Sequence, residues 1–181
     1  RSEEILVPVH ENVYLIPGGS GVYGMNQMDY LQRQSLLDQV SQLDQKFDYM
    51  LIDTAPGIDD NVLYLNSAAE EILVVLTPDP SSLADAYALI KVLHQRQHET
   101  RFSIVCNLVR DEQEALTIYK RLSDVAAKFL CVSLDYKGFI PMDPEMRRAT
   151  KMQQLVLNAN PRCLSSLAIR RLSENLSRLA D

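Results

Sequence analysis

The residues best suited to chemistry lie in the run FDYMLIDTAPGIDDN, Phe47 to Asn61. Apolar and aromatic residues precede Asp53, so a strand there would be buried along its length and end on a carboxylate at the rim. Such a carboxylate can accept a hydrogen bond from metal-bound water beside a phosphate, because Mg²⁺ keeps several of its waters. Gly57 would let the backbone approach a γ-phosphate closely. Ile58, Asp59, Asp60 and Asn61 would then shift when that phosphate leaves. The competing reading is an Asp that only caps the following turn.

Positioning such a group takes a framework, and the sequence reads as strands alternating with helices. NVYLIPGG (12–19) is a short β-rich run ended by Pro and Gly. Residues 28–45 place Leu31, Leu36, Leu37, Val40 and Leu43 mostly on one helical face. YMLIDTAP then reads as a buried strand, NVLYLNSA as a short helix and EILVVLTP as a second buried strand. SSLADAYALIKVLHQR reads as a helix with Ser81 or Ser82 as its N-cap. FSIVCNLV is a strand, EQEALTIYKRLSDVAAKFL a helix, KGFIPMD a last short strand, and two helices close the chain. The strands are continuous Val/Ile/Leu runs, the pattern of a parallel sheet covered on both faces. The expected fold is one α/β domain spanning residues 1–181.

In sheets of this kind ligands bind beyond the carboxyl ends of the strands. One strand ends at Asp53, another at Thr77-Pro78-Asp79-Pro80, another at Asn107 and the last at Pro141-Met142-Asp143. Each alone is ordinary turn chemistry. Together along one rim they point to a site.

Composition fits this reading. The chain has 181 residues, 46% of them apolar and 23% charged, enough to bury a core. No apolar run reaches the ~20 residues that span a bilayer, and no secretory signal opens the chain. Three cysteines, Cys106, Cys131 and Cys163, form no C-x-x-C pair, which points to a reducing, cytoplasmic setting without a disulfide framework or zinc site. The net charge of −6 is uneven: residues 1–143 hold 11 basic and 21 acidic side chains, residues 144–178 seven basic and two acidic. A basic end can lean toward a polyanion, a membrane surface or an acidic partner; the plainer reading is an amphipathic helix with a solvated face.

The run FDYMLIDTAPGIDDNVLYLNSAAEEILVVLTPDPSSLADAYALIKVL resembles the middle of a MinD/ParA-type P-loop ATPase, in the flagellar branch known as FlhG, FleN or YlxH. NVYLIPGGSG, RFSIVCNLV and VSLDYKGFIPMDPEMRRA extend the resemblance over nearly the whole chain. It implies ATP and Mg²⁺ as cofactors. Asp53 would be the Walker-B-like acid acting through a magnesium water, and Gly57 would face the γ-phosphate. Asp59 would face the partner subunit of an ATP-bound homodimer, with Asp79, Ser82 and Asp85 near the same face. Asn107 would bond the adenine edge, with Pro141 and Asp143 in the rest of the base pocket. The implied role is ATP-dependent regulation of flagellar number and placement. Its partners would be a flagellar signal-recognition-type GTPase, a flagellar transcription activator or switch-complex proteins.

The sequence departs from the family in ways that bear on activity. No G-x-x-x-x-G-K-[ST] motif occurs in the 181 residues, and Pro17-Gly18-Gly19-Ser20-Gly21 lacks the Lys that reaches phosphates. The resemblance places the first strand, P-loop and switch-I acid before Arg1, so the chain alone is expected to bind ATP weakly and to hydrolyse little. Pro56 stands before Gly57 where relatives more often have Ala, and Leu155 where a Pro is common. Two other functions stay open: a nucleotide-independent adaptor that keeps the partner surface, and a partition-type ATPase acting at membrane or DNA, although specific nucleic-acid binding is not expected. Ile169, Leu172, Leu176 and Leu179 form a helical stripe beside Arg170, Arg171 and Arg178. It reads as core packing, with a peripheral contact on the inner membrane face as the alternative. His94 and His98, four apart, read as surface side chains, because no third ligand accompanies them.

Overall fold

The computed structural model describes residues 6–17, 31, 34–35, 38 and 47–177, in two compact units, Arg1–Ala68 and Ala69–Asp181. In the first unit, β1 (Val7–His10) and β2 (Val13–Leu15) form an antiparallel hairpin. Its turn carries Asn12 at φ 58°, a left-handed conformation that Asn tolerates better than most residues. The β-rich run around Asn12 is thus the second half of a hairpin rather than a lone strand. Tyr14 meets the Phe47 ring edge-on, with centroids 5.8 Å apart. The helix expected over residues 28–45 lies mostly outside the described residues, as does the glycine-rich stretch from Gly18 to Gly21.

The expected buried strand at YMLIDTAP does not form. Residues 49–55 carry no regular structure, and Tyr49, Met50 and Leu51 are 62%, 56% and 92% exposed. The physical reason is partnership. A strand of a parallel sheet is held by ladder bonds and by cover on its faces, and no described segment pairs with this run. Helical structure resumes at α1 (Asp60–Ser67), as NVLYLNSA promised, with Val62 and Leu63 buried.

The second unit is a three-stranded parallel sheet in the order β3 (Leu73–Leu76), β4 (Arg101–Val109), β5 (Ser133–Pro141). The crossovers are α2 (Pro80–Gln97), which packs on β3, and α3 (Glu112–Phe129), which packs on β4 and β5. In α3 the positions Ala115, Ile118, Leu122 and Ala126 are buried, the three- and four-residue spacing that keeps one helical face on a sheet. Phe102, Ile104 and Cys106 of β4, with Leu76, Ile90, Leu93 and Leu122, make the core. On β3, Val74 and Leu76 are buried while Leu73 and Val75 are 40% and 51% exposed.

The chain closes with α4 (Pro144–Lys151), one turn of helix α5 (Val156–Ala159) and α6 (Leu164–Ser177), three helices where the pattern gave two. The helix α6 packs on β5, with Ile169, Leu172 and Leu176 half-buried, so these three serve packing; Leu179 of the same stripe lies outside the described residues. Among the described residues no helix is long and apolar enough to cross a membrane.

Two irregularities in β5 and β4 shape the unit. Ile104 pairs with Tyr136 and Val105 with Gly138, so Lys137 is an extra residue in β5. Gly138 sits at φ 141° with open space where a Cβ would be; the backbone conformation, not crowding, calls for glycine. The carbonyl of Lys137 accepts a 2.8 Å hydrogen bond from Asn175 Nδ2 of α6, which satisfies a backbone acceptor at the bulge. Leu108 is likewise an extra residue near the end of β4.

Candidate nucleotide site

The first unit carries Asp53, Gly57 and Asp59. Asp53 is exposed within the irregular segment. It is not the end of a buried strand here, so burial does not hold its carboxylate in place. A lone carboxylate in water fits a partner that keeps its own waters, as Mg²⁺ does, better than a cage of direct ligands. Among the described residues no group of three His, Cys, Asp or Glu side chains could hold a metal ion. Gly57 has φ 119° and no atom within 4 Å of where a Cβ would stand. A side chain there would be strained by the backbone rather than by its neighbours. Asp59 is the N-cap of α1, its Oδ1 accepting from the backbone N–H groups of Asn61 and Val62 at 3.0 Å each. The turn-capping reading therefore describes Asp59 rather than Asp53.

The second unit carries the remaining residues at the carboxyl ends of its strands. After β3, the backbone N–H of Thr77 donates to Ser82 Oγ at 3.0 Å, and Thr77 Oγ1 donates to Asp79 Oδ2 at 3.2 Å. Asp79 and Ser82 are thus tied into the turn that starts α2. The N-cap of α2 is Asp79, without a side-chain capping bond, and Pro80 follows it, a position where a missing N–H costs nothing. The expected Ser81 or Ser82 cap is displaced because Ser82 is already inside the helix, bonded back to Thr77. Asp85 is exposed one turn further on.

At the end of β4, Asn107 is half-buried and its Oδ1 accepts from the backbone N–H of Leu108 at 2.9 Å. That bond leaves the amide nitrogen as the side chain's donor, the group a ring nitrogen of a purine would accept from. Leu108 stands at φ 57°, an outlier for a bulky residue that marks a site of stored strain, and is 47% exposed. Across the ladder, Pro141 is buried and the N–H of Met142 donates to Val109 O at 2.7 Å. Met142 is 65% exposed. The rim around Asn107 thus offers one amide donor flanked by apolar surface, a combination suited to a flat heterocycle.

Asp143 differs from its neighbours. Its Oδ1 accepts from the N–H of Glu145 at 2.9 Å, capping α4, and its Oδ2 accepts from the N–H of Ser165 at 2.9 Å, in the first turn of α6. The Ser165 N–H, then that of Glu145, hold the carboxyl below its ordinary range, with partial burial opposing them. Because the folded pKa lies below the unfolded one, the carboxylate contributes stability above the unfolded value of ~3.9 and loses it as pH falls further. Urea midpoints of the wild type and Asp143→Asn should differ by a constant amount above about pH 5, and the gap should close below about pH 4. A gap that stays open in acid would mean the charge is not what the amides hold.

Sequence reasoning missed the double engagement of Asp143, although Asp-Pro before a helix marked its capping half. It also missed the two bulges; Gly138 after Lys137 was the one local signal. The histidines prove to be spent locally: His98 is the left-handed C-cap of α2, and His94 Nδ1 lies 2.9 Å from Glu99 O. Burial pushes the Cys106 thiol up to about 11, so it is not a nucleophile.

The comparisons with known proteins cover nearly the whole chain. Over 164 residues the chain is 35% identical to the antiactivator FleN of Pseudomonas aeruginosa, covering 91% of this chain and 59% of that protein. It is 28% identical over 173 residues to the flagellum site-determining protein YlxH of Helicobacter pylori, covering 93% and 57%. The chain thus spans less than two thirds of either relative. The septum site-determining protein MinD of Pyrococcus horikoshii, solved with Mg-ADP, superposes with a TM-score of 0.70 at 23% identity, over 99% of this chain and 70% of that one. The cell division ATPase MinD of Pyrococcus furiosus superposes at 0.69 with 24% identity, over 98% and 71%. These structures establish the α/β P-loop NTPase fold. Residues 27–177 match the ParA family, described as NUBPL iron-transfer P-loop NTPase, and the chain belongs to that family.

Proposed function

We propose that this chain is the switch and base-recognition part of an ATP-dependent, dimerising regulator of flagellar number and placement. The observation that carries the reading is the 35% identity to the antiactivator FleN across 91% of the chain. In this reading Asn107 recognises adenine, Pro141 and Met142 flank the base, and Asp53 accepts from a magnesium water. Gly57 meets the γ-phosphate, and the segment through Asp59 carries its presence to a second subunit. Asp79, Ser82 and Asp85 lie near that subunit. ATP joins two copies and hydrolysis separates them, so that each state offers a different surface. The partners are a flagellar signal-recognition-type GTPase, a flagellar transcription activator or switch-complex proteins, met in the cytoplasm or at the inner membrane face.

A second reading is a nucleotide-independent adaptor that keeps the partner surface. Light scattering on the protein expressed from its complete coding sequence separates the two. The ATP-switched regulator shifts from monomer to dimer when ATP and Mg²⁺ are added and returns as ATP is consumed. A mass unchanged by ATP, with partner binding retained, would leave the adaptor.

A further inference from the structure

We propose that Asp143 is not a ligand of the nucleotide but the residue that positions the base-recognition rim, by clamping the exit of β5 between two helix N-termini. The inference rests on the adenine reading of Asn107 and Pro141. Three chain segments meet at this one carboxylate. Asp143 follows Pro141 and Met142 directly, Glu145 opens α4, and Ser165 lies in the first turn of α6. Both oxygens are used by backbone amides, each at 2.9 Å, and the two helix N-termini add favourable partial charge.

The surroundings make the clamp a fixed one. Ser165 and Ser166 are fully buried, and Ser166 Oγ donates toward Asn160 O at 2.7 Å. Asn160 in turn reaches back from its Nδ2 to Glu145 Oε2 at 3.3 Å. At its other end α6 is anchored by Asn175 on the Lys137 carbonyl. The start of α6 and the rim are therefore coupled, so that a displacement of one is carried to the other. Met142 is the only residue between Pro141 and the clamp, and its own N–H is bonded to Val109 O. A shift of Asp143 would be felt at once where a base would lie, beside Asn107. Phosphates bound elsewhere would not report it, so the clamp governs which base is taken rather than how tightly phosphate is held.

Asp143→Asn separates clamp from cap. Asn is as good an N-cap as Asp, so α4 keeps its start. The amide has only one acceptor oxygen, so the bond to Ser165 N–H is lost. Asp143→Ser makes the same separation with a shorter side chain, and Asp111→Ala, which removes the Glu114 N–H cap of α3, controls for lost stability alone. The measurements are ATP and GTP affinity of the protein from its complete coding sequence, and hydrogen exchange at residues 165–167. The clamp predicts that Asp143→Asn weakens ATP by about tenfold, the worth of one charge-assisted hydrogen bond, with little change for GTP. Exchange at 165–167 should rise in step, and Asp111→Ala should keep the wild-type preference. The proposal fails if Asp143→Asn or Asp143→Ser speeds exchange at 165–167 yet keeps the full preference for ATP, or if that exchange does not change. A wild type with no preference for ATP over GTP would instead overturn the adenine reading itself.

Discussion

Asp53→Ala is expected to lower ATP turnover by roughly 10–100-fold, the usual cost of losing a group that acts on a metal through its water. The measurement is steady-state hydrolysis by the protein from its complete coding sequence across a range of Mg²⁺ concentrations. The effect should appear as a higher Mg²⁺ requirement and a slower maximal rate, because phosphoryl transfer depends on charge neutralisation and positioning. Asp59→Ala offers the contrast. It removes the acceptor for the Asn61 and Val62 N–H groups and should cost about 1 kcal/mol of helix stability. Its effect should fall on ATP-dependent dimerisation more than on the rate per dimer. Turnover by Asp53→Ala at the wild-type rate and Mg²⁺ requirement would remove Asp53 from the site.

That the Asp53 segment reads as a strand and is not one shows where local sequence stops being informative. Tyr49 to Ile52 have the composition of a buried strand, but composition fixes only what would be favourable if partners were present. Ladder bonds and facial cover come from other segments, and no described segment supplies them here. Where both partners lie within the chain the reading holds. Phe102 to Val109 has β3 on one side and β5 on the other, and its apolar run is buried almost throughout. Helices α2 and α3 were legible for a more local reason, since their three-to-four-residue apolar spacing lies within each segment, although the cap of α2 was not.

The candidate rim was legible residue by residue but not in its arrangement. Asn107, Pro141 and Asp143 stand at or just past the ends of β4 and β5, although β5 runs from Ser133 to Pro141 rather than over the short KGFIPMD run. What each does depends on groups far along the chain: Asp143 is defined by Ser165, 22 positions away. The strain at Leu108 had no signal at all. A Leu in a Val/Leu run reads as one more strand residue, and only the unequal lengths of β4 and β5 between shared pairs push it to φ 57°. A one-dimensional pattern carries no information about such a mismatch.

The same bulged register places Lys137 in a setting that yields a prediction with opposite effects for its two partners. The Lys137 side chain is 10% exposed, and its Nζ lies 3.6 Å from Glu71 Oε1, whose side chain is 33% exposed. Ser103 Oγ donates to the same Glu71 oxygen. Glu71 thus sits at the edge of solvent with two donors, while Lys137 is buried with its ammonium dependent on Glu71 for charge. Glu71→Ala leaves that ammonium buried and uncompensated. It should cost about 2 kcal/mol in urea unfolding, less than for a fully buried pair because Glu71 is partly hydrated. Lys137→Met keeps the apolar stem and removes the charge, and leaves Glu71 to water and Ser103. It should change stability by less than about 1 kcal/mol. The double variant should recover most of what Glu71→Ala loses, since the penalty belongs to the orphaned ammonium rather than to a lost attraction. If Lys137→Met proved as harmful as Glu71→Ala, or the double variant were the least stable of the three, the pair would be a net attraction instead. The bulge at Lys137 would then stabilise the sheet through that ion pair.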